Sequence, residues 1–339
     1  MRKQSIFALG LAAVIAATAV SCGEIKRGEY VSGPGAVFCE DGFRNVLEDE
    51  IEAFEYTYKD ASIIPFYMQE QACIDSLLED KVQSIIVTRE LEPSQRDYLK
   101  KKYKRIVKSQ CIAVDAVALI VNKENGVGSM DMEDIRKVLN GELTRWDQLG
   151  GNDTARIKIV FDAPESSTVS FMRDKFLPKG RKISDNPQAF AQKNNAQVFD
   201  VVKQDRDALG IISVSWLGDN LQVAKNVPID KKMEDYQNQT DTVAPALTEE
   251  VKILKVANPT ADNDYSAVSY KPYQVYINSG EYPLFRKVYM ISTAPNHSVL
   301  HSFYIFVSGF VGQKIISLTG IMPYKVAPRV VQVVSQGEK

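Results

Sequence analysis

Histidine is nearly absent from this chain, with two in 339 residues. These are His297 and His301, and no Glu-x-x-His pattern accompanies them, so we predict no metal site. The sequence also lacks the Gly-x-Ser-x-Gly, His-Glu-x-x-His and Walker motifs. An enzyme would need a metal cluster or an activated nucleophile, and neither is visible. We therefore expect a protein that is not an enzyme and that uses no cofactor.

Cysteine is scarce too, and the net charge is close to zero. None of the 4 cysteines belongs to a Cys-x-x-Cys pair, which excludes the common zinc spacings. Cys39, Cys73 and Cys111 form an odd set, consistent with three buried thiols or with one disulfide whose pairing the sequence does not choose. A net charge of -2 argues against binding to bulk nucleic acid or to anionic membranes.

The N-terminus has the pattern of an export signal. Arg2 and Lys3 precede an apolar run over 6–20, which is shorter than the ~20 residues of a membrane-spanning helix. We predict a secretory signal over 1–21. The segment Ala19-Val20-Ser21-Cys22 resembles the bacterial lipobox, which implies lipid attachment at Cys22, a tether over 22–32, and a membrane-anchored lipoprotein facing the periplasm or the cell exterior. Ordinary cleavage that leaves a free thiol is the alternative.

Strand and helix patterns alternate along the rest of the chain. Apolar strands are predicted over 36–39, 63–67, 84–87, 116–122, 157–161, 209–213 and 288–291, and a single apolar helix over 299–318. Helices with one apolar face separate most of these strands, which is typical of parallel pairing in an α/β fold. Residues 218–270 are polar and irregular and are predicted to form a surface excursion.

Hydroxyl and cationic side chains follow several of these strands. Ser166, Ser167 and Thr168 precede a predicted helix, where three hydroxyls beside free amides suit an anion; a plain helix cap needs only one. Thr88 and Arg89 follow another strand, and arginine offers a fork suited to oxyanions, although many loop arginines are simply solvated.

The loop after the first strand, Glu40-Asp41-Gly42-Phe43, is a third candidate. Gly42 would let the backbone approach a ligand closely, and a bare turn explains the same residues.

Several longer segments are similar to one known family. Residues 132–149 match its helix, Gly and Trp signature, residues 115–122 its crossover strand, and residues 208–213 its return strand. Ser166-Ser167-Thr168 with Phe171 stands where the family has Ser-Gly-Thr and a Phe. On these segments the chain resembles the PstS-like phosphate-binding proteins of bacterial ABC importers, of the type 2 periplasmic-binding fold, over roughly 33–325.

The resemblance implies an α/β fold of two lobes, each a mixed sheet flanked by helices, with the ligand cleft between them. Lobe I would comprise 33–112 plus 217–339, and lobe II 113–216. It also implies a monomeric solute-binding protein that captures phosphate or a similar oxyanion for an ABC permease. The ligand-binding residues expected on this basis are Asp41, Gly42, Thr88, Arg89, Ser166, Ser167, Thr168, Asn194 and Asn195.

The chain departs from the family pattern at its most charged positions. Asp162 stands where the family has an arginine, and Glu165 where a glycine is usual. Carboxylates near a dianion weaken its binding unless Arg89 compensates or a carboxylate accepts a hydrogen bond from a protonated phosphate hydroxyl. Two alternatives therefore stay open: the same fold with a different small anion or organic acid, or a non-transport sensor or interaction lipoprotein whose contact surface is 218–270.

Overall fold

The computed structural model describes residues 31–151, 153–218, 227–238, 247–257 and 268–325. The predicted signal sequence, Cys22 and most of the tether lie outside the described residues.

The first sheet is built on parallel strands near the N-terminus. β1 (Gly33–Glu40) lies between β2 (Ala61–Met68) and β3 (Ser84–Val87) and pairs in parallel with both. The helices that connect and flank these strands are α1 (Arg44–Thr57), α2 (Glu70–Leu78) and α3 (Pro93–Tyr103). The apolar face predicted for α1 is buried, since Val46, Leu47, Ile51 and Phe54 all lie in the core.

One long strand, β4 (Lys108–Val121), belongs to two sheets. Its first half pairs antiparallel with β12 (Phe285–Ser292), which also pairs with β3 and so joins the two. The same half pairs antiparallel with β13 (Met322–Pro323). Its second half pairs antiparallel with β8 (Ala208–Ser213). β4 therefore runs from lobe I into lobe II as a continuous backbone element.

The second sheet carries the helices of lobe II. β8 pairs in parallel with β6 (Lys158–Phe161), which pairs in parallel with β7 (Ala189–Ala191). The flanking helices are α4 (Met132–Asn140), α5 (Ser167–Phe176) and α6 (Asn195–Gln204). Asp131 caps α4 by accepting a hydrogen bond from the Asp134 amide at 2.6 Å, and Gly141 ends the helix with a φ of +78°. The predicted two-lobe α/β fold is confirmed.

The predicted excursion over 218–270 contains regular structure in its described parts. α7 spans Ile229–Asn238, and β9 (Lys252–Ile253), β10 (Lys255–Ala257) and β11 (Ser269–Tyr270) follow. β9 pairs with the second half of β4, and β10 pairs with β5 (Ser129–Asp131). These strands thus attach to lobe II, although the predicted division placed them in lobe I; the division itself stays a prediction.

The single helix predicted over 299–318 is wrong. The chain forms α9 (Val299–Val307) and α10 (Phe310–Leu318), with a bend of 59° between them; α8 (Gln274–Asn278) precedes them. A Cβ at Gly312 would lie 2.6 Å from backbone atoms of Val307, so the absence of a side chain lets α10 pack against the end of α9. Among the described residues, no single helix is long and apolar enough to span a membrane, and only this bent pair meets that criterion when its two helices are taken together.

Cys39, Cys73 and Cys111 are free thiols. Cys39 and Cys73 lie in the apolar interior with no exposed surface.

Candidate anion-binding site

The loops that follow β1, β3 and β6 meet in the cleft between the lobes. A cavity of about 570 Å³ opens there. It is lined from lobe I by Thr88 and Arg89, from lobe II by Ser167, Phe171 and Lys182, and by Arg286 of β12. This position, outside the carboxyl ends of parallel strands, is where α/β proteins bind ligands.

Arg286 is the buried cation of the cleft, with 6% of its surface exposed. Its Nε donates a hydrogen bond to Asp115 Oδ2 at 3.0 Å. Its Nη1 and Nη2 donate to Ser167 Oγ at 2.9 Å and to Thr168 Oγ1 at 3.2 Å. The guanidinium group is thus held by β4 on one edge and reaches the first turn of α5 with the other.

Sequence reasoning missed Arg286 because the predicted strand began only at Val288. The sequence contains one signal that points to a buried cation. Asp115 lies in an otherwise apolar stretch of β4 and is fully buried, and a buried carboxylate requires a cation or hydrogen-bond donors. Ser213 Oγ supplies a further donor to Asp115 at 2.8 Å.

The three consecutive hydroxyls divide into two roles. Ser166 is the helix cap: its Oγ accepts a hydrogen bond from the Val169 amide at 3.1 Å and donates to Asp162. Ser167 and Thr168 are the pair that contacts Arg286. The capping explanation therefore holds for one hydroxyl of the turn, and the other two belong to the cationic cluster.

Glu40, at the end of β1, lies behind Ser167 of the cavity wall, with 1% of its surface exposed. Its Oε2 accepts a hydrogen bond from the Gly42 amide at 2.9 Å, and its Oε1 lies 3.4 Å from the Ser167 amide, which donates to it. A Cβ at Gly42 would come within 2.6 Å of that carboxyl, so the close approach that Gly42 permits is to Glu40. Burial raises the pKa of Glu40 to about 8.

The other predicted residues of the first loop have partners within the protein. Asp41 Oδ1 accepts from Arg44 Nη2 at 2.6 Å. The carbonyl oxygen of Gly42 accepts from Ser215 Oγ at 2.8 Å and from Trp216 Nε1 at 3.0 Å. The two bonds to Gly42 fix the loop against the turn that follows β8.

Asp162 is a second buried carboxyl group near the cleft, 4% exposed. It accepts from Ser166 Oγ, and from Asn195 Nδ2 at 3.1 Å. Burial raises its pKa to about 6. Asn194 caps α6 by accepting from the Gln197 amide at 3.1 Å. Both asparagines therefore hold lobe II together locally.

At the cavity wall, the predicted Thr88 and Arg89 surround Glu70. The Thr88 amide and hydroxyl donate to Glu70 Oε2 at 2.6 Å and 2.5 Å. Arg89 Nε lies 3.7 Å from Glu70 Oε1, and its Nη2 donates to Gln71 Oε1 at 3.0 Å. With 37% of its side chain exposed, Arg89 is a peripheral cation, whereas Arg286 is the central one.

Comparison with known proteins identifies the family. Residues 32–310 match the family described as the PBP superfamily domain. The chain belongs to this family.

Curated relatives cover part of the chain. The phosphate-binding protein PstS of Borreliella burgdorferi is 26% identical over 138 residues, which is 40% of this chain and 49% of that protein. The phosphate-binding protein PstS of Bacillus subtilis is 25% identical over 116 residues, 34% of this chain and 37% of that one. The chain thus spans half the length of these relatives or less.

Solved structures cover more. An ABC-type phosphate transport receptor from Vibrio cholerae superposes with a TM-score of 0.58 at 18% identity, covering 86% of this chain and 99% of that one. PstS from Borrelia burgdorferi gives a TM-score of 0.51 at 19% identity, covering 87% and 100%. These likenesses show that the fold is that of periplasmic phosphate-binding proteins.

Within this family fold, the cavity brings together Thr88, Arg89 and Ser167 of the predicted site. The other six predicted residues do not line it: Asp41, Gly42, Ser166, Thr168, Asn194 and Asn195. Four of these six hydrogen-bond to Glu40, Asp162 or Arg286, so they form a layer behind the cavity wall. In the described part of the chain, no group of three or more His, Cys, Asp or Glu residues is placed to hold a metal ion.

Proposed function

We propose that this chain is an extracytoplasmic solute-binding lipoprotein that captures phosphate or a similar oxyanion for an ABC permease. The observation that carries the proposal is the contact of Arg286 with both Ser167 and Thr168 at the N-terminus of α5. A guanidinium fork, two hydroxyls and a helix N-terminus are hydrogen-bond donors that suit an oxyanion. The phosphate-binding names of the relatives and structural neighbours support phosphate.

In this proposal the protein catalyses no reaction. The ligand stabilises the closed arrangement of the lobes because it bonds to groups from both of them. Arg286 lies on β12, beside the strand that links the lobes. A ligand that bonds to Arg286 and Ser167 therefore connects β12 to lobe II.

Phosphate should stabilise the protein against unfolding. A ligand at a hundredfold excess over its Kd adds about 2.7 kcal/mol to the free energy of unfolding. We expect millimolar phosphate to raise the Tm and sulfate at equal ionic strength to leave it unchanged. Thr168→Val keeps the shape of the side chain and removes the hydroxyl that holds Arg286 Nη2, so it should lose most of the phosphate-induced shift. Differential scanning fluorimetry with and without each anion measures both.

A matched variant separates the site from general stability. Thr319 is also buried, 3% exposed, and its hydroxyl donates to the carbonyl oxygen of Ile316 at the end of α10. Thr319→Val should lower the baseline Tm and keep the full phosphate shift. A Thr168→Val protein that responds to phosphate like the parent would remove this turn from the site, and no shift in the parent would exclude phosphate as the ligand.

A different small anion or organic acid is the second candidate, and the carboxyl groups of the cleft favour it. Glu40, Glu70 and Asp162 are each at least nine-tenths buried beside the cavity, and like charges there oppose a dianion. The cavity of about 570 Å³ also falls within the size range of pockets that hold organic ligands. Native mass spectrometry of protein purified without ligand exchange identifies the occupant by mass, and a mass other than that of phosphate decides for this candidate.

The lipid anchor is a separate part of the proposal and is supported by the sequence around Cys22. Replacing Cys22 by Ala removes the acylated sulfur, so the protein should leave the membrane pellet and appear in the soluble extracytoplasmic fraction. Fractionation followed by immunoblotting measures this. A variant that sediments with membranes as the parent does would refute lipid attachment at Cys22.

A further inference from the structure

Glu40 lies at the seam between the lobes. It ends β1 of lobe I, and its carboxyl contacts the Ser167 amide at the start of α5 in lobe II, at 3.4 Å. Only 1% of its surface is exposed. A helix N-terminus favours an anion, so Glu40 presents its own carboxyl to the amide that the proposed ligand would also approach.

The charges around this carboxyl do not compensate its burial. Arg286 is the cation that faces it, and that guanidinium is already paired with Asp115 at 2.9 Å. Asp162 faces it from lobe II and Glu70 from α2, and both oppose its ionisation. Further titratable groups nearby are Asp41, the next residue in the loop, and the thiols of Cys39 and Cys73.

Opening of the cleft would reverse these conditions. Separating α5 from β1 gives water access to Glu40, and a hydrated carboxyl group returns toward its ordinary pKa. In the closed cleft burial raises that pKa to about 8, with the charges of Asp162 and Glu70 acting in the same direction and Arg286 against it. Between these two values the closed state binds a proton that the open state does not.

On the basis of the function proposed above, we propose that closure of the cleft loads a proton onto Glu40, so that the protein captures its anion together with one proton. The proton removes a negative charge from the position nearest the α5 amides. The contribution of Glu40 to capture is then strongest at acidic pH, weakens as the pH rises from about 4.5 to about 8, and changes no further above that range.

The first test measures unfolding at each pH with and without saturating phosphate, because the tighter proton binding belongs to the closed cleft. A raised pKa means that the folded state holds the proton more tightly, so stability is lost as pH rises from about 4.5 to about 8. Glu40→Gln mimics the protonated side chain and does not titrate. Its Tm should exceed that of the parent by a margin that grows over this range and is constant above about pH 9.

Two further variants serve as controls for that margin. Glu165→Gln removes an exposed carboxylate at the cavity wall and should show a margin that does not change with pH between 6 and 9. Asp162→Asn removes a like charge that faces Glu40, so the pH dependence due to Glu40 should persist in it and move to lower pH.

The second test counts protons during binding. Calorimetric titration of phosphate at pH 7, in buffers of different ionisation enthalpy, gives the number of protons taken up per phosphate. The parent should take up about one proton more than Glu40→Gln, and the titration of phosphate itself cancels in this difference.

The outcomes separate the two proposals. A stability margin that does not change with pH at saturating phosphate overturns the role of Glu40. A growing margin in a protein that binds no phosphate contradicts the proposed function and supports proton uptake at Glu40. Phosphate binding with equal proton counts in the parent and the variant overturns the coupling.

Discussion

Glu50 is another deeply buried carboxyl group, and it has fewer hydrogen-bond partners than Glu40. It is 1% exposed, and neither of its oxygens has a hydrogen-bond partner among the described residues. It borders a small apolar cavity beneath Phe43 and Ile112. Burial, and then the charge of Asp49, raises its pKa well above the ordinary value. The protein therefore folds most readily with Glu50 protonated.

Replacing Glu50 by Leu should stabilise the protein, and more at alkaline than at acidic pH. Because the folded state holds the proton more tightly than the unfolded state, each pH unit above the ordinary pKa costs up to about 1.4 kcal/mol until the folded pKa is reached. Urea unfolding of the parent and Glu50→Leu at pH 6 and pH 8 measures the change.

Glu50→Gln is the matched control for that measurement. It keeps a polar, unsatisfied group in the cavity and removes the titration, so it should lose the pH dependence and show a smaller gain than Leu. A gain of equal size at both pH values in Glu50→Leu would show that Glu50 is already ionised at pH 6 in the folded protein, so that burial does not raise its pKa into this range.

Single side chains were the hardest part of this molecule to assign from sequence. The pattern at Thr88-Arg89 indicated the cation of the site, yet Arg89 lies at the cavity wall and Arg286 at its centre. The two differ in their tertiary partners, Glu70 for Arg89 and Asp115 for Arg286, which are distant along the chain. The loop 40–43 was recognised as a candidate, but Glu40, its most informative residue, was not chosen because its burial depends on α5 of the other lobe.

Secondary-structure elements were predicted well where one hydrophobic pattern, that of a helix or that of a strand, dominates the segment. β3 has the predicted bounds, Ser84–Val87: three apolar residues in a row follow Ser84, and all four residues are buried as in an interior strand. The helix over 299–318 failed because the apolar pattern continues across Ser308 and Gly309, where Ser308 Oγ bonds to the Tyr304 carbonyl oxygen at 2.9 Å and the helix ends. The strands β9 to β11 have two or three residues each, too few to show a period.

The whole molecule was predictable through its family resemblance and through the alternation of strands and helices. The resemblance also predicted the crossover and return strands, but not how these strands are tied to the binding loop. β4 crosses between them as one continuous strand, and the chain returns through the turn after β8, where Ser215 and Trp216 both bond to the carbonyl oxygen of Gly42. The connection is therefore a pair of strands tied to the binding loop, so a change at the site is transmitted directly to the linking strands.

This connection predicts that phosphate compacts the molecule. A ligand that bonds to Arg286 and Ser167 favours the arrangement in which α5 lies against the end of β1. Small-angle scattering of the parent at saturating phosphate should give a smaller radius of gyration than the ligand-free protein at the same ionic strength. Thr168→Val, measured at the same phosphate concentration, should keep the ligand-free radius because it lacks the hydroxyl that bonds to Arg286. If calorimetry demonstrates binding to the parent while its radius does not change, the lobes do not close on the ligand, and the proton uptake expected at Glu40 on closure should be absent from the same titration.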